Sequence, residues 1–295
     1  MTDDPALDIK IHAETVAADL PALLINAERV ATTVSQGVHG RRRVGQGETF
    51  WQFRRYETGD SAAAIDWRQS AKSRRLYVRE SEWEAAQTTW LWRDASPSMN
   101  YASTPDLPTK ASRAALLLLA TAYLLMRAGE RFTLLGSGVS ARSGRGAYDR
   151  LAESLLEQQS ADDSFPAFEP LPRYAQMLIF SDCLSPVEDI RDAVGRFAAR
   201  GAAGHVVQVL DPAEESLPFA GRVRFEGMEE EGQHLLGRAE SARGAYRNRL
   251  ASHRDTLRDI SRRAGWGFLT HRTDHSPESV LLALYAALSP QTGHH

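Results

Sequence analysis

Hydrophobic and polar residues follow a regular alternation of patterns from Thr88 to the end of the chain. Short apolar runs typical of buried strands alternate with longer segments whose apolar residues recur at helical spacing. The predicted strands are 88–92, 131–135, 177–180, 205–210 and 267–270, and the predicted helices are 109–127, 147–158, 185–201, 242–263 and one that begins at Ser276-Pro277. This alternation predicts an α/β fold with a central, mostly parallel sheet flanked by helices.

The pattern before Thr88 is different. Residues 14–36 carry apolar positions at helical intervals and stop at Gly37, which predicts a helix. Residues 37–85 are rich in glycine, arginine and aromatic side chains. We therefore divide the chain into an N-terminal tail and helix over 1–36, an Arg/aromatic-rich extension over 37–85 packed on the main domain, and the α/β domain over 86–290.

Composition and targeting signals place the protein in a broad class. The most apolar run, 114–126, is shorter than the roughly 20 residues that span a bilayer, which predicts a buried helix instead. The chain begins MTDDPALDIK, which is acidic where a secretory signal would be positive. Cys183 is the one cysteine, so an intramolecular disulfide and a cysteine zinc cluster are both excluded. We expect a soluble, cytoplasmic protein without a membrane span.

Charge is distributed unevenly along the chain. The formal net charge of -3 argues against bulk attraction to nucleic acid. Between residues 41 and 79, however, ten Arg or Lys stand against four Asp or Glu, a local excess of six positive charges. The candidate partner-binding residues in this segment are Arg54, Arg55, Asp60, Asp66, Trp67 and Arg68. Two interpretations stay open: a platform in which the carboxylates neutralise neighbouring arginines, or a basic surface for an acidic partner or for phosphates.

The motif Asp94-Ala95-Ser96-Pro97-Ser98 follows the first predicted strand of the α/β domain. The carboxyl end of a parallel strand is where such sheets place ligand sites. Asp94, Ser96 and Ser98 are oxygen donors separated by single residues, and a bend at Pro97 can turn them toward one point. Oxygen ligands suit a hard cation such as Mg²⁺, which keeps several waters and has room for a partner's carboxylate.

A second carboxylate supports the same site. Asp182 follows the predicted strand 177–180, so a parallel sheet brings it to the same edge as Asp94. The alternative is that Asp94 and Ser96 only form a turn and cap the next helix, as such residues often do. The sequence therefore predicts a site for Mg²⁺ or Mn²⁺, with a local turn as the simpler interpretation.

Catalytic signatures are missing from the sequence. It contains no phosphate-binding Gly-x-x-x-x-Gly-Lys-Ser/Thr loop, no His-Glu-x-x-His and no Gly-x-Ser-x-Gly. These absences favour an interaction module over an enzyme. The alternative is a metal-dependent hydrolase or a nucleic-acid-binding protein that uses Asp94, Asp182 and the basic segment 41–79, although such sites generally need more carboxylates and a general base.

Two segments taken together carry a family resemblance. The first is Arg55-Tyr56-Glu57-Thr58-Gly59-Asp60 with Ile65-Asp66-Trp67, and the second is the Asp94 motif downstream. From about Gly37 to the C-terminus the chain resembles the bacterial domain of unknown function 58 family. The resemblance implies a von Willebrand factor A-like fold with a metal-ion-dependent adhesion site. It also implies work with a MoxR-type AAA+ ATPase in the maturation or remodelling of an unknown client protein.

The chain departs from the family pattern at two positions. The metal-site threonine that the resemblance implies has no clear match, and Ser143 is the nearest candidate for a fifth ligand beside Asp94, Ser96, Ser98 and Asp182. Arg93 also adjoins Asp94 in sequence and would replace the metal if it reached that carboxylate. Alternation along a strand predicts instead that Arg93 points to the opposite side from Asp94.

Overall fold

Five parallel strands form the central sheet, in the order β10-β7-β6-β4-β5. In this computed structural model the described residues are 7–16, 18, 42–45, 49–55, 65–72, 76–84, 88–157, 165–172, 174–228 and 232–288. The strands of the sheet are β4 Thr88–Arg93, β5 Arg131–Leu134, β6 Gln176–Ser181, β7 Ala203–Leu210 and β10 Gly267–Arg272. All four pairings are parallel, so the predicted α/β fold with a parallel sheet flanked by helices is confirmed.

Helices cover both faces of the sheet because each strand buries side chains in both directions. On β6, Leu178 and Phe180 belong to one core cluster, whereas Met177 and Ile179 belong to the other. The helices that contribute to the first cluster are α1 (residues 7–16), α3 Lys110–Arg127, α4 Arg145–Glu157 and α8 Pro277–Leu288. The second cluster is completed by α5 Val187–Ala199 and α7 Ala239–Arg263.

Helix α3 contains the most apolar run of the chain and is almost entirely buried. Thr109 caps it, accepting a hydrogen bond from the backbone N–H of Ser112 at 3.1 Å. No helix within the described ranges is long and apolar enough to cross a membrane.

The close packing of β7 against β6 and against Trp266 depends on a glycine. A Cβ on Gly204 would lie 2.6 Å from the carbonyl oxygen of Met177 and 2.9 Å from the Trp266 ring. Any side chain at this position would therefore push β7 away from β6 or displace Trp266 from the second core cluster.

Shorter elements complete this unit. Helix α6 Pro212–Ser216, which the sequence analysis did not predict, follows β7 directly and carries a capping box between Asp211 and Glu214. The segment 222–238, whose sequence predicts a hairpin, contains β8 Val223–Glu226 paired antiparallel with β9 Gln233–Leu236.

Two local predictions were wrong or only partly testable. The sequence Ser185-Pro186 with Glu188 predicts that Ser185 caps α5. In the structure Pro186 holds the cap position, and the hydroxyl of Ser185 has no hydrogen-bond partner among the described residues. The helix predicted over 14–36 overlaps the described part of the chain only at 14–16 and residue 18, which are helical, and otherwise lies outside it.

The chain divides into two structural units, Met1–Ser35 with Gln87–Ser289 and Gln36–Ala86 with Pro290–His295. The second unit contains a three-stranded antiparallel sheet in the order β1-β3-β2, to which the sequence analysis assigned no strands. Its elements are β1 Arg42–Gly45, β2 Thr49–Arg55, α2 Trp67–Ser70 and β3 Tyr77–Glu84.

Candidate functional site

The parallel pairing of β4 with β6 brings Asp94 and Asp182 to one edge of the sheet. Arg93 is in register with Phe180, and the pairing continues as the N–H of Asp94 donates to the carbonyl of Phe180 at 2.8 Å. Both carboxylates therefore follow the carboxyl ends of adjacent central strands. Asp94 is 0% exposed and Asp182 is 1% exposed.

Both oxygens of Asp94 are held by hydrogen bonds. Oδ1 accepts the N–H of Ser96 at 2.9 Å, and Oδ2 accepts the hydroxyl of Ser181 at 2.7 Å. The first bond closes a tight turn, which agrees with the alternative that Asp94 and Ser96 only form a turn and a helix cap. The second bond reaches across to β6, so the motif is more than a local turn.

The two serines of the motif link the carboxylates. Their hydroxyl oxygens, Ser96 Oγ and Ser98 Oγ, lie 3.1 Å apart, and Ser98 donates to Asp182 Oδ2 at 2.8 Å. The other oxygen of Asp182 accepts the N–H of Leu184 at 3.1 Å. The structure thus brings Asp94, Ser96, Ser98 and Asp182 into one hydrogen-bonded group, which we call the oxygen cluster.

Lys110 contacts the oxygen cluster and was not identified from the sequence. Its ammonium donates to Asp182 Oδ2 at 2.8 Å and to Glu214 Oε1 at 2.5 Å, with its side chain fully buried. Burial pushes the pKa of Lys110 down, but the charges of Asp182 and Glu214 outweigh it and leave that pKa above the ordinary value. Lys110 is therefore a charged lysine that neutralises part of the cluster.

Asp94, unlike Asp182, has no ion-pair partner among the described residues. No cationic side chain in the described ranges forms an ion pair with Asp94, although Lys110 does so with Asp182. Burial and the charge of Asp182 raise the pKa of Asp94 to about 6, against the hydrogen bonds from Ser96 and Ser181. Burial is the largest cause of this raised pKa, and repulsion from the Asp182 carboxylate is the second.

Arg93 does not replace a metal at Asp94. Successive side chains of β4 point to opposite faces of the sheet, since Leu91 belongs to one core cluster and Trp92 to the other. The same alternation directs the side chains of Arg93 and Asp94 to opposite sides. Arg93 Nε is buried without a hydrogen-bond partner, and burial lowers the pKa of Arg93 despite the nearby charge of Asp94.

Ser143 is not brought to the oxygen cluster. The segment after β5 turns back, and Arg142 pairs antiparallel with Phe132, the second residue of that strand. Ser143 is exposed and follows Arg142, near the end where β5 begins, whereas Asp94 lies where β4 ends. The structure therefore gives no fifth ligand at this position.

The residues of the cluster fit a hard divalent cation by their chemistry. They offer two carboxylates and two hydroxyls, all oxygen donors, and Asp94 forms no ion pair with a described residue. The described ranges contain no group of three or more His, Cys, Asp or Glu side chains arranged to hold a metal. A cation at this site would therefore depend on the serine hydroxyls and on water for most of its coordination.

Cys183 and His253 lie near the oxygen cluster and have structural roles. Cys183 is buried, and burial raises the pKa of its thiol well above the ordinary value. His253 Nε2 lies 2.6 Å from the backbone oxygen of Cys183, not from its sulfur. This geometry does not pair a histidine with the thiol as a nucleophile requires.

The candidate partner-binding residues lie in the unit Gln36–Ala86. Arg54 and Arg55 are the last residues of β2, while Asp60 lies outside the described residues. Trp67 begins α2 and is 64% exposed, and Arg68 beside it is exposed as well. The N–H of Asp66 donates to the carbonyl of Tyr77 at 2.9 Å, which ties α2 to the start of β3.

The fold and the oxygen cluster define an α/β domain with a buried carboxylate–hydroxyl site at the carboxyl edge of its sheet. The family described as Protein of unknown function DUF58 matches residues 52–256, and the chain belongs to this family.

Relatives in two mycobacteria are similar over most of their length. Uncharacterized proteins of Mycobacterium tuberculosis and Mycobacterium bovis are each 26% identical to this chain over 287 residues, which cover 92% of this chain and 86% of the relative.

Two solved structures from Bacteroides show a distant likeness. One is an aerotolerance-related membrane protein from Bacteroides fragilis, with 15% identity and a TM-score of 0.41. The other is the conserved hypothetical protein BatB from Bacteroides thetaiotaomicron, with 13% identity and a TM-score of 0.41. Each match covers 68% of this chain and 98% of the other chain.

Proposed function

We propose that this protein is a non-enzymatic interaction module that binds a partner's carboxylate through a divalent cation, Mg²⁺ or Mn²⁺, in a von Willebrand factor A-like domain. The observation that carries the proposal is the oxygen cluster, in which Ser98 joins the Asp94 turn to Asp182 at 2.8 Å. Ser96 and Ser98 would hold the cation directly, with Asp94 and Asp182 as its counter-charges. When bound, the cation supplies a coordination position that a carboxylate can fill.

The protein's own residues prepare this site. Ser181 and the N–H of Ser96 fix the Asp94 carboxylate, so that it needs no reorganisation on binding. Lys110 forms ion pairs with Asp182 and Glu214, one positive charge against two carboxylates, whereas Asp94 forms no ion pair with a described residue. A divalent cation would add the positive charge that Asp94 lacks, and it would share Asp182 with the ammonium of Lys110.

A MoxR-type AAA+ ATPase is the proposed working partner, with an unknown client protein. The chain belongs to the family, and the resemblance described in the sequence analysis implies a partner of this kind. The exposed Trp67 and Arg68 offer a contact surface of the kind that interfaces favour.

Metal titration tests the site. MgCl₂ or MnCl₂ is added to the purified full chain, to Asp94→Ala and to the matched control Asp192→Ala, which removes an exposed aspartate from α5. At a hundredfold excess over Kd, the free energy of unfolding should rise by about 2.7 kcal/mol in the wild type and the control but not in Asp94→Ala. Equal shifts in all three proteins would contradict a cation at Asp94.

A further inference from the structure

A cleft opens beside the Asp94 motif, on the side of β5. It has a volume of about 350 Å³, and Ala95 of the motif forms part of its wall. The opposite wall is the chain that leaves β5 at Leu135 and Gly136. Because Ala95 lies between Asp94 and Ser96, anything seated in this cleft adjoins the oxygen cluster.

The floor of the cleft is apolar and aromatic. Trp92 and Phe165 line it, with their ring centroids 6.0 Å apart. Trp92 is 8% exposed, so its ring is a fixed part of the second core cluster rather than a mobile surface group. Such a floor accepts the aliphatic stem of a long side chain or the flat face of a guanidinium.

The rim of the cleft carries two carboxylates. Glu157 ends α4 and Glu169 lies in the segment after Phe165, and both line the cleft. Among the described residues, the ion pairs of α4 involve Arg145 and Asp149 near its start, and neither Glu157 nor Glu169 forms one. The rim is therefore negatively charged above an apolar floor.

The sequence at the end of α4 and after it is acidic. From residue 151 to residue 172 there are five acidic residues and no Lys or Arg. They are Glu153, Glu157, Asp162, Asp163 and Glu169, of which Glu157 and Glu169 line the cleft. These two carboxylates give the cleft its preference for a positively charged ligand.

We propose that this cleft binds a Lys or Arg side chain of the protein partner, with arginine the better fit because its planar cation stacks on aromatic rings and pairs with carboxylates. This inference rests on the proposed function, since it names a second feature of the partner that docks on the same edge of the sheet. The partner segment then carries an acidic residue for the oxygen cluster and a basic residue close to it.

A pair of matched peptides tests the cleft without a metal. Acetyl-Gly-Arg-Gly-amide and the same peptide with citrulline, which has nearly the same shape but no charge, are titrated into the full chain in EDTA. Binding is followed by NMR at the backbone amides of Ala95 and Gly136 and at the indole of Trp92. The arginine peptide should give saturable shifts at these positions, and the citrulline peptide should bind at least threefold more weakly.

Charge-neutral variants locate the contact. Glu157→Gln and Glu169→Gln should each weaken arginine-peptide binding about threefold, while Glu153→Gln, an equal change on an exposed position of α4 outside the cleft, should leave it unchanged. Equal binding of the two peptides, equal weakening by Glu153→Gln, or the absence of saturable shifts would each overturn the proposal. Since no metal is present, these outcomes are independent of the Mg²⁺ titration with Asp94→Ala.

Discussion

His271 lies on β10 with 5% of its surface exposed, and its Nε2 is buried without a hydrogen-bond partner. Burial, aided by the charges of Arg113 and His275 and opposed by Asp274, lowers the pKa of His271 to about 4. The nine histidines are scattered along the sequence, which favours structural roles for them, and the buried position of His271 agrees with this. Its consequence is a dependence of stability on pH.

Acidification should destabilise the protein through His271. The folded state keeps this histidine neutral down to about pH 4, whereas the unfolded chain takes up a proton near the ordinary pKa of 6.5. The stabilisation that comes from neutral His271 is therefore fully present above pH 6.5. It is lost as the pH falls toward 4, which lowers the free energy of unfolding by about 3 kcal/mol. Urea unfolding between pH 4 and pH 8 measures it.

The control for this prediction is the neighbouring exposed histidine. His271→Leu should flatten the pH profile between 6.5 and 4, whatever its effect on stability at neutral pH. His275→Leu should reduce the slope only slightly, because His275 is 59% exposed and contributes less to the low pKa of His271 than burial does. An unchanged slope in His271→Leu would show that another group carries the dependence.

At the scale of elements, Lys110 connects the start of α3 to β6 and α6. Its ammonium bridges Asp182, which follows β6, and Glu214 on α6, while Ser103 donates its N–H to Asp211 at 2.9 Å. The loops after β4, β6 and β7 are thus joined around the oxygen cluster. Tyr246 of α7 adds a hydrogen bond to the carbonyl of Glu214 at 2.6 Å.

Removing the Lys110 charge should destabilise these loops and strengthen metal binding. Lys110→Met leaves Asp182 and Glu214 without their cation, at a cost of about 3 kcal/mol in the free energy of unfolding. The same change removes the competing donor from Asp182 Oδ2, so Mg²⁺ should bind more tightly than in the wild type. Chemical denaturation and calorimetric titration measure the two effects.

A second lysine provides the comparison. Lys10→Met breaks an ion pair with Asp149 that is partly exposed, so it should cost about 1 kcal/mol or less and leave Mg²⁺ affinity unchanged. Weaker Mg²⁺ binding in Lys110→Met would mean that Lys110 organises the cation site instead of competing for it.

At the scale of the whole molecule, positive and negative side chains are concentrated in different segments of the chain. The chain carries a net charge of -3, yet residues 41–79 hold ten cationic side chains against four anionic ones. The negative charge around the oxygen cluster and the cleft lies in the other structural unit. We interpret this polarity as suited to protein partners with both charges rather than to a polyanion.

Nucleic-acid binding should accordingly be absent at physiological salt. In fluorescence anisotropy, single- and double-stranded oligonucleotides should show no binding at 150 mM salt, and weak binding at low salt should vanish on addition of salt. Substituting Arg54 and Arg55 with Gln should abolish that residual signal without affecting Mg²⁺ binding. Saturable binding that survives 150 mM salt would instead favour the hydrolase or nucleic-acid alternative.

The sequence by itself determined the order of the central strands and the long helices, and it identified the four residues of the oxygen cluster. Apolar runs and helical spacing are local signals, so these strands and helices were predictable within a few residues, whereas the five-residue α6 was not. Asp94, Ser96 and Ser98 were visible as a motif, and Asp182 was visible because a parallel sheet collects the ends of its strands at one edge.

Tertiary structure alone decided which charges meet. In the sequence, Lys110 only marks the start of an apolar helix. The packing of α3 against the loops after β6 and β7 places its ammonium between Asp182 and Glu214, which are 72 and 104 residues away in sequence. In the same way, the return of the chain after β5 separates Ser143 from the cluster and forms the acidic cleft beside Ala95. Such contacts depend on the path of the chain in space, which no local pattern of residues records.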